Sequence, residues 1–137
     1  MHVRNQIRNE VASALNGAGI DVLKSRAYPI EKTPAVAVST PSDVVLRDQS
    51  TMTDEVRELT VVVEVFIKSV VDYDAQVDDI ASRIETVLSD QLLNEIDFYF
   101  ESFEMDLSDE SEAALMVGSL SFSCIYSVAR GEPETLR

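Results

Sequence analysis

The 137-residue chain holds one cysteine, one histidine, no tryptophan and four glycines. A single cysteine excludes an internal disulfide and any zinc site built from several thiolates. Cys124 lies in an apolar alternation, the setting of a buried, inert thiol. The histidine, His2, is next to the start of the chain. Without a second histidine or a reactive cysteine, no nucleophile–base triad of the usual kind can be assembled. The glycines form neither GxGxxG nor GxxxxGK[ST], so no glycine-rich phosphate loop exists. No apolar run approaches the ~20 residues that span a bilayer, so no membrane partner is expected. The opening MHVRNQIRNEVA lacks the apolar core of a signal peptide, and the expectation is that nothing directs export. Carboxylates are plentiful, but spacing marks none of them out as an acid–base pair. The chain is therefore expected not to be an enzyme.

Basic residues are scarce as well. Lysine and arginine number 11 against 25 aspartates and glutamates, a formal charge of −14. Between Asp72 and Glu112 the only basic residue is Arg83. A sequence-reading nucleic-acid binder needs cations to neutralise phosphates, and this balance argues against one. The acidic surface aids solubility and would repel an anionic polymer.

What is present is strong periodicity. Val3, Ile7, Val11, Ala14 and Leu15 recur at helical spacing, with Arg4, Arg8 and Glu10 on the polar side. Asn16-Gly17 reads as the stop, followed by Gly19. Ile20–Tyr28 reads as a strand of mixed polarity. Pro29 and Pro34 exclude the residues between them from a central strand, and Ala35–Thr40 reads as the next strand. Pro41–Glu55 is a polar stretch without clear period, a long loop of the kind that carries function. In ELTVVVEVFIKS, Leu59, Val61, Val63, Val65 and Ile67 share one face, and Glu58, Thr60, Val62, Glu64, Phe66 and Lys68 the other. DYDAQVDDIASRIETVLSD predicts a second amphipathic helix, with Val77, Ile80, Ala81, Ile84, Val87 and Leu88 inward. FYFESFEMDL and LMVGSLSFSCIYSV read as two strands around the acidic turn SDESEAA. In the last of these Met116, Leu120, Phe122, Cys124, Tyr126 and Val128 share a face and serines 119, 121, 123 and 127 the other.

These segments predict a two-layer α+β domain: a mostly antiparallel or mixed five-stranded sheet with two helices on one face, in the order α-β-β-β-α-β-β. The connection from the third strand through the second helix suits a crossover to a parallel neighbour. Residues 1–129 form the single domain and 130–137 a flexible C-terminal tail. Asp72, Asp74, Asp78 and Asp79 form the densest chemical cluster. Hard divalent cations favour such oxygens, but the glycine turn and closing glutamate of a calcium loop are missing. Helix capping and dipole complementation account for all four.

The HVRNQIRNEVASAL helix, the turn at Arg26, Tyr28 and Pro29, the strand from Pro34 to Val38, ELTVVVEVFIKS and DDIASRIETVL come in a recognisable order. The chain resembles the tail terminator proteins of long-tailed bacteriophages, the family of the lambda minor tail protein U. The resemblance runs from Val3 to about Leu88, and more loosely through Tyr126. It implies a structural viral protein, made in the bacterial host cytoplasm and carried in the virion at the head-proximal end of the tail. Such proteins form a homo-oligomeric ring, typically a hexamer, that caps the tail tube, stops its polymerisation and offers a docking face to the head-tail connector protein. DNA passes through the bore without sequence-specific binding. The alternative is a neck or head-tail connector protein of similar size. On this reading the subunit and tube interface draws on Arg47, Met52 and Arg57, on Val62 and Phe66 of the half-polar strand face, and on Asp72 and Asp74. No cofactor is expected; apart from the resemblance, magnesium would promote assembly only if those aspartates lie at a subunit boundary that it bridges. Ile30–Thr33 would protrude near a ring contact.

Overall fold

A computed structural model describes residues 2–23, 34–68, 73–90, 96–108 and 115–136. Helix α1 spans Val3–Gly17 and helix α2 Tyr73–Asp90. The strands are β1 (Ala35–Val45), β2 (Asp54–Ile67), β3 (Phe98–Ser108), β4 (Leu115–Ala129) and β5 (Glu132–Leu136). They form one five-stranded sheet in the order β1-β2-β4-β3, with β5 also paired to β4, and every strand pair is antiparallel. This is the expected α+β architecture.

Apolar alternation decides which face the helices cover. Leu59, Val61, Val63, Val65 and Ile67 of β2 are fully buried, as are Leu120, Phe122, Cys124 and Val128 of β4. They share one core with Val3, Ile7, Val11 and Leu15 of α1 and with Val77, Ile80, Ile84 and Leu88 of α2. The period-3.6 stripes of the helices therefore close on the period-2 face of the sheet.

α1 begins with Nδ1 of His2 accepting the Arg4 backbone N–H at 3.0 Å. It stops at Gly19 rather than at Gly17, which is still helical. Gly19 has φ +85°, and paired bonds close the end: the Ile20 N–H donates to the Leu15 carbonyl and the Gly19 N–H to the Asn16 carbonyl. A side chain at φ near +85° is strained, so glycine suits this point. Arg83 of α2 donates to the Ala18 carbonyl at 3.1 Å and ties the two helices together.

Several segments differ from the sequence expectation. Of Ile20–Tyr28, residues 20–23 supply only a single parallel bridge, Val22 with Val36; residues 24–33, with the Arg26–Pro29 turn and Ile30–Thr33, lie outside the described residues, as do the acidic residues 109–114. The fifth strand comes instead from the expected C-terminal tail. After a turn at Gly131 (φ +81°), β5 pairs on the side of β4 that β3 leaves free beyond Cys124. The order along the chain is thus α-β-β-α-β-β-β. Pro41–Glu55 is mostly strand: β1 continues to Val45, a short turn of helix covers Arg47–Gln49, and β2 starts at Asp54. Pro41 is accommodated because one extra residue bulges from β1 between Ser39 and Ser42, at the sheet edge. The chain leaves β2 through α2 and enters β3, which runs in the same direction as β2 but is not its neighbour; β4 lies between them.

Candidate functional site

The helices leave the other face of the sheet uncovered among the described residues, and its rows follow from the register. Val62 lies between Ser39 and Ser121, with Ser102 next. Thr60 lies between Ser42 and Ser123, and Glu64 between Ala37 and Ser119. The middle of this face is therefore short hydroxyl side chains with Val62 half-buried at its centre. At one end Val44 and Ile125 are exposed. At the other, Phe66 is not part of the surface as the sequence suggested. It is fully buried with Ala35, Ala37, Leu115 and Val117 in a second apolar cluster, where its ladder partners Ala35 and Val117 flank its ring.

The other sequence candidates scatter. Arg47 and Met52 sit together at the β1–β2 connection, where Met52 is 88% exposed. With Ser50, Glu55 and Arg130 they line a shallow depression of about 350 Å³. Arg57 does not point outward to meet a neighbour. Its guanidinium is only 17% exposed, with Nη2 donating to Glu55 Oε1 at 2.9 Å and Nη1 3.6 Å from Asp43 Oδ2. Asp74 is exposed in the first turn of α2, and Asp72 lies outside the described residues. Among the described residues no histidine, cysteine and carboxylate groups cluster as a metal site would require.

Sequence reasoning missed a polar network under the N-terminus of α1. Asp43, 5% exposed, accepts at Oδ2 from Tyr126 Oη at 2.5 Å and from Arg4 Nη1 at 3.2 Å. Arg57 adds its charge from the next strand. The Tyr126 phenol is pushed up by burial and by donating to Asp43, so it stays protonated. The Arg57 guanidinium is pushed up mainly by its hydrogen bond to Glu55. Burial, then the charges of Arg4 and Arg57, hold His2 below its usual value, which keeps Nδ1 free to accept the helix N–H. Cys124, one ladder position from this network on the same face, is pushed up to about 12 by burial. Arg8 meanwhile donates to Thr40 Oγ1 at 2.8 Å. Together Arg4 and Arg8 lash α1 to the edge strand β1.

A second feature lies on the opposite edge. β3 carries one extra residue at Glu101, because Phe100 pairs with Phe122 but Ser102 with Ser121. That bulge turns Phe100 and Phe103 to the same side, where they remain 47% and 37% exposed. Phe100 meets Phe122 edge-on with centroids 5.7 Å apart. Glu101, at the bulge, is exposed, as are Glu104 and Asp106, which the register places on the opposite face of β3.

Set beside known proteins, the chain matches no family model and no curated protein.

Proposed function

We propose that this protein is a tail terminator: a structural subunit that closes into a ring on the head-proximal end of a phage tail tube, ends tube growth and presents a docking face to the head. The observation that carries the reading is the division of the sheet into two unlike faces. One is sealed by both helices; the other is a broad, hydroxyl-lined surface centred on Val62. Such a surface suits contact with another protein by shape, and it needs no reacting group. The segment order that resembles the terminator family supplies the rest of the support. In this reading the partners are further copies of the chain, the tube protein and the head-tail connector, and the acidic charge keeps passing DNA from adhering to the bore.

The test is loss of the gene. A terminator must both stop the tube and accept the head, so its loss gives overlong tails together with filled heads that remain unjoined. A connector on the head side gives unjoined heads with tails of normal length. Tail lengths measured by electron microscopy decide; normal-length tails reject the terminator reading in favour of the connector.

A further inference from the structure

We infer that the aromatic edge of β3 is the socket for the β1–β2 end of a second copy of this chain, an inference that rests on the ring reading. The two surfaces are unlike and complementary. The socket presents Phe100 and Phe103, partly exposed on one side of the strand, with exposed Glu101 between them in the chain and Glu104 on the other side of the same edge strand. The plug presents Met52, the most exposed of the large apolar side chains among the described residues, in a depression it shares with Arg47, Arg130 and Glu55, the last already paired with Arg57. Among the described residues neither Arg47 nor Arg130 forms an ion pair, and neither do Glu101 and Glu104.

The two surfaces are distinct patches of one chain: Met52 lies at the β1–β2 end of the strands, whereas β3 is the edge strand at the far end of the order β1-β2-β4-β3. Their union is therefore head-to-tail, the arrangement that closes a ring when the rotation permits. Backbone pairing along β3 is blocked by the Glu101 bulge and the flanking carboxylates, so the contact is made by side chains. Aromatic rings receiving an unbranched thioether, with arginine and carboxylate at the rim, match the make-up of interface centres.

Charge exchange between copies tests this, using Arg47→Glu and Glu101→Arg, both at exposed positions. Each variant alone places like charges across the contact, and sedimentation equilibrium at low salt should show self-association weakened about tenfold or more. Mixed in equal amounts, the two variants should associate with each other, because acidic plug meets basic socket and basic plug meets acidic socket. Met52→Asp should weaken association in the same assay without altering the thermal midpoint. A wild-type chain that stays monomeric at the highest soluble concentration overturns the inference, as does a mixture no tighter than either variant alone. If mixing fails while gene loss still gives overlong tails, the contact is wrong and the terminator reading stands. If mixing restores association while tails keep normal length, the contact stands and the terminator reading falls.

Discussion

Gly118 gives the sharpest test of how helix and sheet are held together. It lies on the helix-covered face of β4, opposite Val65, and a methyl group added there would sit 2.7 Å from Val77 Cγ1. It would also lie 3.0 and 3.3 Å from two ring carbons of Phe103. Phe103 is partly exposed and can swing aside, but Val77 is fully buried on the first turns of α2. Gly118→Ala must therefore push α2 off the sheet locally. Overpacking of this kind costs ~1–3 kcal/mol. The loss of chain freedom in the unfolded state returns about 0.4–1 kcal/mol. The net expectation is a loss of about 1–2 kcal/mol, a fall in thermal midpoint of roughly 4–8 °C for a chain of this size. Urea unfolding followed by circular dichroism measures it. Val77→Ala alone should cost about 2 kcal/mol through its lost methyls and the cavity left. The double variant should be more stable than the sum of the single losses implies, by ~1 kcal/mol or more, because the new methyl takes the vacated space. A neutral or stabilising Gly118→Ala, or strictly additive losses, would refute this packing account.

The remaining expectations concern the buried polar groups and α2. Asp43→Ala should cost about 2 kcal/mol, since it leaves the Tyr126 hydroxyl without its acceptor while Arg57 keeps its pair with Glu55; Tyr126→Phe should cost ~1.5 kcal/mol for one hydrogen bond to a carboxylate. Both are read by urea unfolding, and two losses within experimental error of zero would show the network contributes nothing. Because the folded state raises Cys124 from 9.0 to about 12 and raises Tyr126 as well, their share of stability is complete below pH 9 and is lost as pH climbs. Stability should be flat across neutral pH and fall above pH 9, with a shallower fall in Cys124→Ala. The native thiol should resist a disulfide reagent at pH 8 and react only at the rate of unfolding; rapid labelling of folded protein would contradict its burial. Asp74→Asn should cost about 0.5 kcal/mol from the helix dipole and leave sedimentation unchanged by magnesium, whereas a magnesium response lost in the variant would assign the aspartate a bridging role.

Most of the fold could be read from periodicity because four elements carry unbroken patterns. The α1 and α2 stripes and the alternations of β2 and β4 each bury the residues their period selects. Failures came where a local breaker was absorbed by the sheet. Pro41 reads as a stop, yet it falls in the β1 bulge at an edge, where its missing N–H costs no ladder bond. Pro133 reads as a frayed tail, yet the β4–β5 register jumps from Ala129–Glu132 to Val128–Leu136 and leaves it between the paired residues. The Asp43–Tyr126 bond joins residues 83 apart, and no local pattern announces it. A tyrosine within an otherwise apolar stripe was the available sign, since a buried phenol needs a partner. The β3 aromatics escaped for a parity reason. Without the Glu101 bulge Phe100 and Phe103 would face opposite sides, and a bulge leaves no mark in the alternation that precedes it.

These placements separate what holds the chain together from what it offers to others. The groups whose loss should destabilise it lie on the helix-covered face: Val77 against Gly118, Asp43 under Arg4, Cys124 in the dry alternation. The surfaces assigned to partners lie on the hydroxyl-lined face, at the β1–β2 end of the sheet and along the β3 edge. In a β-strand adjacent residues point to opposite faces, so a substitution at Val62 or Ser121 changes the outer surface without touching Val61 or Phe122 behind it. Exposed changes away from buried networks usually move stability by less than ~0.5 kcal/mol. The interface can therefore change its shape and charge while the core stays fixed. A subunit that must fit one partner on a tube end and refuse it on the other side requires that freedom.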